Sequence, residues 1–259
     1  MSTCRWSALI VLLAASAALA QPGEKPRVSA PEPQRQQASA TSMTLVVVDY
    51  DIADKNEDAF PQEINELLKF IGKQERLQLQ VQVRTQHLSD AGLAAATLLY
   101  MTGNTATLRI SDAEKASLAK YLRGGGLLFA EDIRRFNPSI GLEGQGAGVS
   151  GTPFDRQFKA LMRDPLVLAA DGDRWETVPG SHPLYHAFYD FSDGPPLGGA
   201  PGGNVSKLEM LQLRGRPVVI FSDLNISFYW GDPMAESRER GLEFGANLLV
   251  YAMTQRLGR

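Results

Sequence analysis

The chain has 259 residues, a formal charge of −3, and 44% apolar and 21% charged side chains, the balance of a globular protein with room for one large α/β domain plus appendages. Its lysines and arginines are scattered, with no run able to neutralise a phosphate backbone, which excludes nucleic acid as an expected partner. Cys4 is the single cysteine.

Arg5 precedes an apolar block from Ala8 to Leu13, and Ala18-Leu19-Ala20 supplies the small residues that signal peptidase accepts. Residues 1–20 therefore read as an export signal cleaved before Gln21, which predicts a periplasmic or secreted protein. The block is shorter than the ~20 residues of a spanning helix, so no stable membrane span is expected after cleavage. The mature chain would then carry no thiol, and so neither a disulfide nor a cysteine nucleophile. Residues 21–42 are rich in Pro, Gln, Ser and Ala and nearly lack large apolar groups. They read as a disordered linker to a domain over 43–259.

Met43 to Val48 is a β-branched run ending in Asp49-Tyr50-Asp51, the pattern of a buried first strand with acids at its carboxyl end. Pro61 suits a first helical turn, and Ile64, Leu67, Leu68 and Ile71 form one stripe before Gly72. Leu77, Leu79, Val81 and Val83 alternate with glutamines, the period of a half-exposed strand near a sheet edge. Leu98 to Met101 and Leu127 to Ala130 are short apolar runs next to glycine, as in strands buried on both faces of a parallel sheet. Between them Ser111 and Glu114 have capping-box spacing, Ala116, Ala119 and Leu122 follow at helical spacing, and Gly124 offers a left-handed stop. Strand, helix and strand make a right-handed βαβ unit, which predicts Thr102-Gly103-Asn104 and Glu131-Asp132 side by side at the carboxyl edge, where open α/β sheets bind ligands.

Ile133 to Thr152 is a glycine-rich loop expected to border that site. Pro153 opens a helix with Phe154, Phe158, Leu161 and Met162 on one face. Ser181 to His186 reads as a turn entering a short helix, and 192–206 as a second Gly/Pro-rich loop. Leu208 to Leu213 and Val218 to Phe221 flank Arg214-Gly215-Arg216-Pro217, a hairpin added to the sheet. Ser222 to Gly231 leaves it as a polar and aromatic loop, and a helix from Glu236 to Gln255 buries Leu242, Ala246, Leu249 and Met253.

Glu131-Asp132 is the strongest chemical candidate, because adjacent acids at a strand end can bind hydroxyls, a cation or an amine, and a desolvated acid can act as a general base. The alternative is that one of them caps the following turn. Met101, Ala130 and Phe221 each end a strand, so Asp223 and Asn225 should emerge on the same edge. His182 and His186 stand four apart, a metal-ligand spacing, yet no third ligand clusters with them in sequence. Pro183 places His182 before the helix starts, so they read as a loop residue and a surface residue rather than a ligand pair, and neither a metal nor a cofactor is expected. Gly148-Val149-Ser150-Gly151 has the wrong spacing for a serine nucleophile elbow.

The ordered set Leu99-Tyr100-Met101-Thr102-Gly103, Ser111-Asp112, Gly125-Gly126-Leu127-Leu128-Phe129-Ala130-Glu131-Asp132, His182-Pro183-Leu184, Val219-Ile220-Phe221-Ser222-Asp223 and Asn247 to Ala252 resembles the bacterial family called domain of unknown function 4159. That family looks like a branch of the class I glutamine-amidotransferase-like, or ThuA-like, superfamily. The resemblance covers Thr44 to Gln255 and implies a flavodoxin-like three-layer α/β sandwich with a mainly parallel sheet and an added C-terminal hairpin. Amidotransferases of this kind place a cysteine after the strand equivalent to Leu127 to Ala130, where this chain has Glu131-Asp132-Ile133, and the family typically shows histidine at the position of Asn104.

These departures remove thiolate chemistry and a neutral-pH titrating group from the expected site. The function expected is a non-catalytic binding domain for a small polar ligand, which the resemblance to sugar-associated ThuA-like proteins suggests is a saccharide or another envelope component, lined by Thr102, Gly103, Asn104, Asp223, Asn225 and Trp230, with Tyr229 beside it. A hydrolase using Glu131 or Asp132 with His182, and a scaffold for an envelope protein complex docking through the loops 133–152 and 192–206, are the alternatives.

Overall fold

In a computed structural model the chain is described over residues 41–52, 64–105, 107–134, 136–137, 141–142, 152–197, 207–235 and 237–258. The expected signal peptide, most of the linker, Pro61 and most of the two Gly-rich loops lie outside these residues. Thr41 and Ser42, expected to end the linker, already belong to the first strand.

The elements run β1 (Thr41–Asp49), β2 (Asp51–Ile52), α1 (Ile64–Gly72), β3 (Leu79–His87), β4 (Leu98–Gly103), β5 (Leu108–Arg109), α2 (Asp112–Arg123) and β6 (Leu127–Asp132). Then come β7 (Phe136–Asn137), β8 (Gly141–Leu142), α3 (Pro153–Arg163), β9 (Glu176–Thr177), β10 (Glu209–Leu213), β11 (Arg216–Ser222) and α4 (Arg238–Leu257). A seven-stranded sheet has the order β3-β1-β4-β6-β11-β10-β9. The first five are mutually parallel, β10 is antiparallel to β11, and β9 is antiparallel to β10. Numbered among themselves, the parallel strands lie 2-1-3-4-5, the flavodoxin-like order. The mixed α/β sandwich with its C-terminal hairpin is therefore as expected.

Strand alternation divides the core between two faces. Leu45, Val47, Leu98, Tyr100, Leu127, Phe129 and Ile220 pack on α1 and α4. Val46, Val48, Leu99, Met101, Leu128, Ala130, Val219 and Phe221 pack on α2 and α3. β3 forms the edge and alternates in exposure as its Leu/Gln pattern requires.

Ser111 and Glu114 form the full capping box of α2. The inner face of that helix is carried by Leu118, Tyr121 and Leu122, while Ala116 is exposed, because the longer side chains bridge the gap to the sheet. The left-handed residue after α2 is Gly125, at φ 90°, rather than Gly124, at φ −74°. Arg214 and Gly215, at φ 54° and 74°, make a two-residue turn with the twist of the hairpin, so Arg216 and Pro217 belong to β11. α4 is buried on most of its circumference. The segment Pro183–His186 and the segment Phe228–Trp230 pack against it beside the sheet, and Met253 stays half-buried.

Candidate functional site

Parallel register sets the carboxyl edge. Thr102 lies opposite Glu131, Gly103 opposite Asp132, and Ser222 opposite Glu131. The structure thus brings Thr102, Gly103, Asn104, Glu131, Asp132, Asp223 and Asn225 to one edge. Hydrogen bonds tie the strand ends together: Ile133 N donates to the Gly103 carbonyl at 2.8 Å and Asn104 Nδ2 to the Ile133 carbonyl at 2.5 Å. The Phe154 ring lies where a side chain on Gly103 would be, with Cδ2 2.1 Å from an added Cβ, so only glycine lets α3 approach. The hydroxyl of Tyr50 donates to the Thr102 carbonyl at 2.7 Å. Tyr50 therefore sits where the strand order reverses, between β1 and β4.

Glu131 and Asp132 do not form a pair. As neighbours on a strand they point to opposite faces of the sheet. Glu131 enters the α4 face, fully buried. Its Oε1 accepts from Ser222 Oγ and Ile226 N, each at 2.7 Å. Its Oε2 accepts from Ser227 N at 2.7 Å and from Ser227 Oγ, and Ser227 Oγ in turn accepts from the Tyr100 hydroxyl at 2.6 Å. Desolvation pushes the Glu131 carboxyl up and these four donors oppose it. This acid is the anchor of the loop after β11, with its acceptor positions taken by protein.

Asp132 enters the α3 face. Its Oδ1 accepts from Thr152 Oγ1 at 2.5 Å and its Oδ2 faces Arg134 Nε at 3.2 Å. Arg134 Nη2 reaches Asp223 at 2.8 Å, so one buried guanidinium bridges two acids. Desolvation is the largest influence on both and raises Asp132 to about 7 and Asp223 to about 6, against the pull of Arg134 and, at Asp132, the Thr152 hydrogen bond. Beyond them Lys159 Nζ lies 3.1 Å from Asp155 and 2.6 Å from Glu209, above the Phe221 ring at 4.9 Å. Asp223 is the outward member of the bridged pair, its side chain 14% exposed. The Tyr229 hydroxyl is hydrogen-bonded to Asn225, and its acidity is weakened by burial.

Two expected site residues are elsewhere. His182 lies toward the amino end of the strands, its Nε2 3.4 Å from the hydroxyl of Tyr251, which shares a cavity with Arg216, the first residue of β11. Its Nδ1 accepts from Leu184 N at 3.3 Å, capping the turn over Pro183–His186, and burial lowers its pKa. His186 turns away to Asp190 and the Gly180 carbonyl, each at 3.0 Å. The spacing of four therefore makes no shared ligand set, because the turn is too short to put both rings on one helical face. Trp230 is in the core, stacked on Tyr100 with its Nε1 donating to the Gly241 carbonyl at 2.9 Å, and offers no ligand shelf. Among the described residues no three His, Cys, Asp or Glu side chains are grouped to hold a metal ion, and no helix is long and apolar enough to cross a membrane.

Sequence reasoning missed Arg134, Thr152, Ser227 and Lys159. Thr152 was detectable as the N-cap residue before Pro153, and its hydroxyl does accept from Phe154 N. Arg134 had no local signal for its bridging role, since Asp132 is close in sequence but Asp223 and Asn225 come from beyond β11.

A mostly parallel sheet between two helical layers, with buried acids converging on its carboxyl edge, defines a flavodoxin-like α/β sandwich protein. The chain belongs to the family described as domain of unknown function (DUF4159), whose family model matches residues 44–253. A comparison with curated proteins found no match.

Proposed function

We propose that this is an exported, non-catalytic binding module of the class I glutamine-amidotransferase-like, or ThuA-like, superfamily, and that it takes a hydroxyl-rich polar ligand such as a saccharide at the carboxyl edge. The carrying observation is the Asp132–Arg134–Asp223 bridge, whose outward acid Asp223 is followed two residues on by Asn225, the residue that meets the Tyr229 hydroxyl. A carboxylate held by one buried arginine keeps free lone pairs for ligand hydroxyls, and the aromatic ring offers the flat contact that sugar faces favour. Against a catalytic reading, the elbow acid Glu131 is spent on the loop Ser222 to Ser227, and His182 is remote from Asp132.

The test is a thermal-shift screen of sugars, amino acids and nucleotides on the pure protein, followed by titration of any hit into Asp223→Asn. A sugar that raises the melting temperature of the parent and not of Asp223→Asn supports the reading. Binding unaffected by Asp223→Asn, or glutamine hydrolysis insensitive to alkylating reagents, overturns it. Export is tested separately by intact mass of the periplasmic or secreted form, which should begin at Gln21.

A further inference from the structure

At the amino edge of the sheet, opposite the site above, four arginines from three distant parts of the chain face one space. Arg123 ends α2, Arg174 precedes β9, Arg214 is the first residue of the hairpin turn and Arg216 opens β11. With Asp171 and Gln212 they line an open cavity of about 650 Å³. Arg174 pairs with Asp171 at 3.2 Å. Among the described residues no carboxylate forms an ion pair with Arg123, Arg214 or Arg216.

The fold builds this placement. Arg214 is held in a left-handed conformation at φ 54°, and the Arg216 guanidinium lies against Gly125, where an added Cβ would fall 1.9 Å from Nη2. Glycine at 125 thus serves the left-handed turn and leaves room for the guanidinium. Converging arginines without acid partners repel one another, and a bound anion relieves that repulsion. Guanidinium forks match the oxygens of phosphoryl groups in bidentate geometry. Arg216 also lines a neighbouring cavity of about 510 Å³ with Pro183, Ala187 and Tyr251, a less polar space beside the cationic one.

We propose that this cavity binds a multiply charged phosphoryl group, with Arg123, Arg214 and Arg216 as its donors, and that the remainder of the phosphorylated molecule lies against Pro183, Ala187 and Tyr251. The site is distinct from the carboxyl-edge site and stands or falls without it. Pyrophosphate is titrated calorimetrically into the full chain at low ionic strength. Binding is expected, weakened about tenfold by Arg123→Gln and by Arg214→Asn, each the loss of one charge-assisted contact, and unchanged by Arg84→Gln on the edge strand β3. The two substituted side chains are exposed, so the melting temperature is expected to hold. Absence of pyrophosphate binding, or equal weakening by Arg84→Gln, overturns the proposal. Sedimentation with phosphatidic acid vesicles, whose headgroup is a phosphomonoester, separates the sources: co-sedimentation lost in Arg123→Gln assigns a lipid headgroup, and pyrophosphate binding without co-sedimentation assigns a soluble phosphate ester.

Discussion

Asn225 and Arg134 hold each other through two hydrogen bonds between one side chain and one backbone unit. The Arg134 amide donates to Asn225 Oδ1 at 2.7 Å, and Asn225 Nδ2 donates to the Arg134 carbonyl at 2.6 Å. Asn225 does this from a left-handed backbone at φ 58°, a conformation asparagine tolerates better than most residues. The amide side chain extends the pairing of β6 with β11 past the ends of both strands, and so holds the Arg134 guanidinium between Asp132 and Asp223.

Asn225→Ala should cost about 2–4 kcal/mol, since it leaves a buried N–H and a buried carbonyl of Arg134 unpaired. Urea unfolding measures this. A loss below about 0.5 kcal/mol would show that water replaces the side chain and that the clamp is dispensable.

Glu131→Gln should destabilise by a similar amount, about 2–4 kcal/mol, although it is nearly isosteric. An amide has one acceptor oxygen, and its NH2 group would face either Ser227 N or Ile226 N, both donors. The ligand affinity of a correctly folded fraction should be unchanged, which separates an anchor from a reacting acid.

Stability should fall as pH rises from about 4 to about 7. The folded Asp132 carboxyl keeps its proton up to about 7, whereas the unfolded chain releases it near its ordinary value of about 4. The native state then binds more protons across that window, so the stabilisation is fully present at its acid end and is lost through pH 7. Asp223, at about 6, has the same sign. His182, lowered by burial, acts oppositely as pH falls through its unfolded value. Comparing the parent with Asp132→Asn at pH 5 and pH 8 cancels that contribution. The parent should gain more stability on acidification than Asp132→Asn.

Arg134→Met should cost about 3–5 kcal/mol at pH 8, because it strips the one buried cation that bridges Asp132 and Asp223. The penalty should shrink at pH 5, where both acids can take up protons. A pH-independent penalty would mean that packing, not charge, is what the arginine supplies.

Gly103→Ala should destabilise by about 1–3 kcal/mol through overpacking against the Phe154 ring. Phe154→Leu removes the ring atoms in the way, so the double variant should be less destabilised than the sum of the two singles. Strict additivity in the double-mutant cycle would place the strain elsewhere.

The local grammar of the chain is legible without coordinates. Apolar runs at Leu98 to Met101 and Leu127 to Ala130, the capping box of Ser111 and Glu114, and the stripe of Phe154, Phe158, Leu161 and Met162 each depend on residues within a few positions of one another. The arrival of Asn104, Asp132 and Asp223 at one edge follows from parallel strands ending together, and that too is implicit in the order of elements.

Only the tertiary structure decided which of these groups meet. Adjacency in sequence suggested that Glu131 and Asp132 work as a pair, yet the strand sends them to opposite faces, one to Ser227 and the other to Arg134. His182 went to the far end of the sheet and Trp230 into the core because α4 and the segments packed on it claim both. The contacts of Arg134 with Asp223 and Asn225, and the gathering of Arg123, Arg174 and the hairpin pair Arg214 and Arg216, join positions tens of residues apart. Hydrophobic periodicity encodes which face of an element is buried. The partner of a buried or converging charge depends on long-range register, which no short stretch of sequence contains.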